Sequence, residues 1–296
     1  MLKIVTDSAT DLPKSYIEEH HLHVIPTPVV IDGVDHLDGA TIQTKEFYNI
    51  LDDIDRNIST YHINQYMFEN AFRPYAEAGD EVLYLCFSTG IAGTYNSANA
   101  AKAAILEDYP DFKLTIIDSK CASIGFGLLV AYIVEMYENG APLETLVEAA
   151  DYIISHIHHV FTVNTLKYLV KGGRLSKFKG TIGGTLDIKP VLIVDREGRL
   201  EVLKSVRGNK KSISTMLEYA SEHIYEPQNQ VLALCHGEDQ AALDYLRLQV
   251  SKTFNTNRFI IATVGCAIGA HTGRGIVGFC FLDASMEPYR QYLKNM

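Results

Sequence analysis

The chain has 296 residues, 47% of them hydrophobic, enough to bury a full core that two domains would most simply share. Twenty-six Lys and Arg stand against thirty-six Asp and Glu, a formal charge of −10, and no Lys/Arg-rich run offsets it. A surface of that sign repels nucleic-acid backbones. The apolar run 124–134 closes at Glu135, well short of the roughly 20 residues a bilayer-spanning helix needs.

The N-terminus lacks a signal-peptide pattern and reads as a first strand over 3–6. Asp7-Ser8-Ala9-Thr10-Asp11-Leu12-Pro13 is a cap-rich turn into a helix over 14–20. Residues 23–30 are β-branched with two prolines and suit an edge or irregular strand. Helical spacing recurs over 44–53 and 64–78. A strand over 81–87, a helix over 95–107, a strand over 113–117 and a helix over 121–138 follow, the last ended by Asn139-Gly140. Alternation of this kind implies a mostly parallel sheet covered on both faces. The helix at 121–138 is apolar on every face, as a wholly buried helix would be; its glycines also leave open a long apolar ligand beside it.

The second half changes character. A helix over 142–156 precedes a short strand at 160–163 and a helical turn or two at 166–170. Strands at 188–194 and 200–206 flank Asp195-Arg196-Glu197-Gly198, which is hairpin chemistry. Helices over 210–223 and 239–253 alternate with strands at 230–235, 258–264 and 275–282. The predicted fold is therefore two-domain α/β. A mostly parallel α/β/α domain over 1–157 joins an α+β domain with a mixed or antiparallel sheet over 158–296, with a ligand at the cleft between them.

Three segments mix glycine with hydroxyl or cationic side chains beside apolar runs: Ser88-Thr89-Gly90-Ile91-Ala92-Gly93-Thr94, Lys171-Gly172-Gly173-Arg174-Leu175-Ser176 and Gly269-Ala270-His271-Thr272-Gly273-Arg274-Gly275. The first is a strand–turn–helix passage, whose free N–H groups and helix dipole favour an anion. Ser88 and Thr89 would donate to a carboxylate there, or simply cap the helix. Arg174 suits a carboxylate or phosphate, against a plain surface turn. His271 lies in a stretch read as too glycine-rich for regular structure, from which it reaches a cleft or bonds a carbonyl. The run Gly273-Arg274-Gly275-Ile276-Val277-Gly278 fits a dinucleotide pattern by accident, since it precedes a strand.

His20, His21 and His23, and His156, His158 and His159, lack metal-ligand spacing and read as solvated faces, so no metal is expected. Five widely spaced cysteines read as buried free thiols of a cytoplasmic protein. Ser88, Asp118 and His271 share the chain order of one hydrolase triad but lack its nucleophile elbow.

Seven pieces in order resemble the DegV family over essentially the whole chain: Ile4-Val5-Thr6-Asp7-Ser8, Ser88 to Ala98, Ile117-Asp118-Ser119, Leu169 to Ser176, Ile188-Lys189-Pro190-Val191-Leu192, Val206-Arg207-Gly208 and Ile268 to Gly273. The resemblance implies a non-catalytic binder of one long-chain fatty acid, with the acyl chain buried and the carboxyl at the domain cleft. No further cofactor is implied. It also implies a partner, a separate ATP-dependent fatty acid kinase subunit that makes acyl phosphate for phospholipid synthesis. Carried over by motif, Ser88, Thr89 and Gly90 would bind the carboxylate, and His271 and Arg174 would lie near the head group or on the face met by the kinase; the expected carboxylate set is Thr60, Tyr61, Ser88, Thr89, Gly90 and His271, with Arg174 and Arg274 at the head group or kinase face. The family usually has Thr-Ser-Gln-Pro-Ser where this chain has Thr60-Tyr61-His62-Ile63-Asn64, Ser where it has Ala92, and Pro where it has Arg274. Two lost hydroxyls would leave a buried carboxylate short of donors, so Tyr61, backbone amides and Arg274 are expected to share the work. Other readings are an acyl hydrolase or transferase using Ser88 and His271, and a regulatory sensor of an acidic lipid.

Overall fold

The computed structural model describes residues 1–53, 56–175 and 187–294. Ser176, the last residue of the Gly-Gly-Arg segment, lies outside that range. A first sheet is parallel throughout, in the spatial order β2 (His23–Ile25), β1 (Leu2–Asp7), β6 (Glu81–Cys86), β7 (Lys113–Asp118). A second, mixed sheet runs β10 (Leu200–Arg207), β9 (Ile188–Val194), β8 (Ile157–Thr162), β13 (Val277–Leu282), β11 (Leu232–His236), β12 (Phe259–Thr263), with only β11 and β12 parallel.

The period-2 alternation of these strands builds the layers. On β6, Leu83 and Leu85 face a central core, while Val82, Tyr84 and Cys86 face an outer one with α3 (Gln65–Ala78) and α4 (Thr94–Asp108). On the second sheet, Ala233, Cys235, Cys280 and Leu282 join the central core, and Leu232, Leu234, Phe279 and Phe281 point outward to α8 (Asn209–His223) and α9 (Gln240–Phe254). Between the sheets lie α5 (Ser123–Glu138), apolar all round and buried from Ser123 to Met136, and α6 (Leu143–His156), which runs straight into β8. The ending read from sequence at Asn139-Gly140 is present, with Gly140 at φ 86° just past α5; α3 is capped by Asn64, which accepts from Met67 N–H at 3.0 Å, and ended by Gly79 at φ 68°. The helices α1 (Lys14–Glu19) and α7 (Lys167–Lys171) also form where their patterns predicted. Among the described residues, no helix is long and apolar enough to cross a membrane.

Four local expectations fail. Residues 23–30 are not one strand: Pro26 and Pro28 break the ladder, so β2 stays in the first sheet and β3 (Pro28–Ile31) joins a small antiparallel sheet, β4 (Val34–Leu37)–β3–β5 (Ile58–Thr60), packed on α2 (Thr44–Leu51). His271 is in regular structure, on α10 (Cys266–Thr272), because the glycines at 273 and 275 take positive φ just past its end and stop the helix there. His158 and His159 are not on a solvated face; they are 8% and 4% exposed, and His158 is held by Tyr219 Oη at 2.8 Å and Asp283 at 2.7 Å. The glycines of α5 face close neighbours, and the open space beside the helix lies at its start instead, at Ala122, Ser123 and Ile124. A Cβ at Gly125 would lie 2.1 Å from His159 Nε2, and one at Gly127 would lie 2.7 Å from Thr10 O.

The seam between the two halves on one side of α10 is made of buried acids. Asp38 accepts the N–H groups of Cys266 at 2.9 Å and Ala267 at 3.1 Å, Asp11 accepts Gly265 N–H at 2.8 Å and the Ser123 hydroxyl, and Asp7 accepts Tyr84 Oη and Phe87 N–H. Burial pushes all three carboxyls up, Asp7 to about 6 and Asp11 to about 8. Their mutual repulsion adds to this. Asp11 in the unfolded chain ionises near 3.8, so its stabilising proton counts fully below that pH and is lost as pH rises towards about 8. Asp11→Asn is expected to flatten the pH dependence of the urea midpoint between about 4 and 8 relative to wild type; equal slopes would place the proton elsewhere.

Candidate functional site

A cavity of about 910 Å3, open solvent at its mouth included, lies where the two sheets, α5 and α10 converge. Its walls are predominantly hydrocarbon: Phe87, Ile91 and Ala92 from the loop after β6, Ile124 from α5, Val160 and Phe161 from β8, Val194 and Leu200 from the β9–β10 hairpin, and Ala267 and Ile268 from α10. Three polar side chains of the lining lie close together. Thr60 at the end of β5, His271 in the last turn of α10 and Arg174 just after α7 all line it.

These three residues touch one another's surroundings closely. Thr60 Oγ1 and His271 Nε2 are 2.6 Å apart. Among the described residues, His271 Nδ1 is buried without a hydrogen-bond partner, and a Cβ on Gly172 would fall 2.1 Å from it, so only glycine fits there. The Gly172-Gly173 turn, with Gly173 at φ 75°, brings Arg174 back over the ring, its Nη1 donating to Gly172 O at 2.7 Å. Burial first, and the Arg174 charge second, pull His271 down to about 4, so it is neutral at pH 7. Burial also pulls the Arg174 guanidinium below its ordinary value, and among the described residues no carboxylate pairs with it. The same three side chains border a surface cleft on their other side, lined by Arg56, Lys167 and Lys171. The arrangement is a desolvated cation, a hydroxyl and a neutral imidazole at the polar end of an apolar cavity.

The Ser88–Gly93 loop does something different from the anion cradle predicted for it. Thr89 N–H is taken by Asp118 Oδ1 at 3.0 Å, Gly90 N–H by Ser88 Oγ at 3.0 Å, and the N–H groups of Ile91 and Ala92 by Ser88 O at 3.1 Å. The anion this loop binds is the chain's own Asp118, which also pairs with Lys120 at 2.5 Å. Ser88 Oγ donates to Gly198 O at 2.8 Å, and a Cβ on Gly90 would meet Gly198 at 2.5 Å. Ser88 and Gly90 therefore clasp the β9–β10 hairpin while Thr89 is held by Asp118, and none of the three lines the cavity; their neighbours Phe87, Ile91 and Ala92 do.

Tyr61 lines the mouth, but its phenol donates to Asp35 at 3.3 Å and the residue is 37% exposed. Arg274 is spent on α2, pairing with Asp52 at 2.9 Å and donating to Tyr48 O at 3.1 Å, outside the cavity lining. A Ser88–Asp118–His271 triad is not assembled, because each member is bonded elsewhere. All five cysteines are free and buried, and among the described residues no group of His, Cys, Asp or Glu is arranged to hold a metal. Sequence reasoning missed His62, whose ring packs 3.3 Å from the Cβ position of Gly93, and His159; both line the cavity. The substituted segment Tyr61-His62 was the available signal for the first.

Ser88→Ala is expected to cost about 1–3 kcal/mol of stability, since it strands the buried Gly198 carbonyl. Faster amide exchange should appear across 195–200; unchanged protection there would refute the clasp.

Residues 1–284 match the family described as "DegV: Uncharacterised protein, DegV family". A DegV domain-containing protein of Clostridium perfringens (strain 13 / Type A) is 33% identical over 287 residues, 96% of this chain and 98% of that protein. The crystal structure of a fat acid (stearic acid)-binding protein from Eubacterium ventriosum superimposes with a TM-score of 0.87 at 30% identity, covering 95% of this chain and 97% of that one. The Streptococcus pneumoniae Fatty Acid Kinase (Fak) B3 protein, solved loaded with linoleic acid, has a TM-score of 0.83 over 96% of this chain and 100% of that one; at 22% identity the likeness is of fold alone. On the match over nearly its full length, this chain belongs to the DegV family.

Proposed function

We propose that this protein binds one long-chain fatty acid with its hydrocarbon in the apolar cavity and its carboxylate among Thr60, His271 and Arg174, and presents that carboxylate to a separate ATP-dependent kinase. The supporting observation is the desolvated Arg174, without a carboxylate of its own among the described residues, beside Thr60 and His271 in a predominantly apolar cavity. The Eubacterium ventriosum relative binds stearic acid, which agrees with that chemistry. With 1–157 taken as one lobe and 158–296 as the other, the cavity draws its walls from both. Burying a sixteen-carbon chain at about 0.8 kcal/mol per methylene supplies on the order of 10 kcal/mol before the costs of association. The head-group contacts then chiefly orient the acid.

Their chemistry is complementary. A neutral His271 that donates Nε2–H to Thr60 Oγ1 leaves the Thr60 hydroxyl hydrogen for a carboxylate oxygen, and Arg174 supplies the charge that makes a buried carboxylate affordable. Ser88, Thr89 and Gly90 act from behind, by fixing the wall residues between them and the hairpin. The surface cleft on the far side of the trio gives a second protein access to the carboxyl end. A cytoplasmic location belongs to the same reading, because five thiols remain unpaired.

Protein purified from a bacterial host is expected to yield stoichiometric fatty acid on organic extraction and mass spectrometry; a lipid-free protein that takes up no added fatty acid would end this reading. Thr60→Val and Arg174→Met should each weaken binding about ten- to hundredfold in fluorescent fatty-acid titrations, the value of a hydrogen bond to a charged group. Acyl phosphate formation on adding a fatty acid kinase subunit and ATP separates a presenter from a sensor, which would bind equally well and yield none.

A further inference from the structure

The acyl cavity approaches the surface again at a place separate from the head-group trio. Thr60, His271 and Arg174 divide it from the surface cleft of Arg56 and Lys167. On another wall it meets a surface hollow, whose lining includes Ile157 and Ile193 together with Lys120, Asp195 and Arg196. Among the described residues, cleft and hollow share no lining residue, and His159 and Val194 are the two that line both hollow and cavity. They form a partition one side chain thick.

Both halves of that partition are fixed. His159 on β8 is 4% exposed and stands opposite Cys280 of β13. Its Nε2 accepts Ala122 N–H at 3.4 Å, and the ring packs so closely on α5 that a Cβ at Gly125 would fall 2.1 Å from that nitrogen. Val194 ends β9 and stands opposite Leu200. The turn that follows it is pinned twice, Gly198 O accepting from Ser88 Oγ at 2.8 Å and Arg196 pairing with Asp283 at 3.1 Å. A wall residue free to swing aside would limit nothing, and close packing removes that freedom here.

The two sides of the partition also differ in solvation. The cavity offers hydrocarbon, whereas the hollow carries Lys120 and Arg196, whose charges hold water. With the carboxylate at the trio, the tail has the rest of the cavity to fill. A terminal methyl driven past the partition must displace the packed ring or isopropyl group and then meet that water. The gain that each further buried methylene brings ends there.

We propose that His159 and Val194 are the stop for the acyl tail and set the longest fatty acid the protein accepts. This rests on the fatty-acid reading above and adds the residues that choose among its ligands. Arg174, Thr60 and His271 hold a carboxylate common to every chain length, and the partition measures the tail.

The test is displacement of a fluorescent fatty acid from delipidated full-length protein by saturated acids from myristate to behenate. Affinity is expected to rise about fourfold per added methylene up to a limiting length within the series, and to fall about tenfold for an acid about two carbons longer. His159→Ala and Val194→Ala should each raise that limit, by about two to four carbons for the ring and about two for the isopropyl group. Val194→Phe should lower it. Ile193 lines the hollow and not the cavity, so Ile193→Ala should leave the limit in place. A wild-type affinity that keeps rising through behenate overturns the proposal, as does a limit that stays put in all three partition variants. Failure of every acid in the series to displace the probe instead rejects the fatty-acid reading itself.

Discussion

The cavity exists because the tip of the β9–β10 hairpin, part of the second sheet, is pinned to the loop that leaves β6 in the first. Ser88 Oγ bonds Gly198 O at 2.8 Å, and Gly90 comes so close to Gly198 that neither position has space for a side chain. Without that clasp, Val194 and Leu200 would have no reason to face Ile91 and Ala92, and the apolar space between the sheets would either collapse or open to water. A cavity lined by hydrocarbon gains nothing from its own emptiness, since its walls forgo dispersion contacts. It persists here because polar hydrogen bonds outside it hold the walls apart: the clasp on one side and the Asp38–α10 bonds on the other.

The head-group trio uses burial in two opposed ways. Desolvation makes the Arg174 cation costly and the His271 cation more so, and the guanidinium, with the far higher intrinsic pKa, keeps its charge while the imidazole gives its charge up. The pocket therefore holds one positive charge and not two. A single carboxylate neutralises it, which suits a monoanionic head group better than a dianion.

Much of this was legible in the chain. Strand–helix alternation up to α6, the hairpin chemistry of 195–198 and the Asn139-Gly140 ending of α5 are local signals, and local physics decided them. Of the expected site residues, Thr60, Tyr61, Arg174 and His271 line the cavity, and Ser88, Thr89, Gly90 and Arg274 do not. The reason is non-local. A strand–turn–helix loop of Ser, Thr and Gly offers the same N–H groups to any anion or carbonyl, and the nearest were Asp118 from the adjacent strand and Gly198 from another sheet, 110 residues away. Arg274 likewise read as a free cation because Asp52 lies 222 residues from it. The α10 helix was hidden by its glycines, of which Gly269 is a packing device: a Cβ there would press 2.9 Å from Tyr48 Oη.

The orientation of α10 explains why a cation is indispensable at the site. Its N-terminal end is occupied by Asp38, a carboxylate meeting free N–H groups where helix polarity favours negative charge. His271 sits in the opposite, carbonyl-bearing turn, where that polarity disfavours a second anion. A fatty-acid carboxylate placed there would meet an uncharged ring and a hydroxyl and nothing to offset its desolvation, were it not for Arg174. The Gly172-Gly173 turn, which permits Arg174 to fold back and His271 to pack without a Cβ in its way, is therefore as much a part of the head-group chemistry as the side chains it positions.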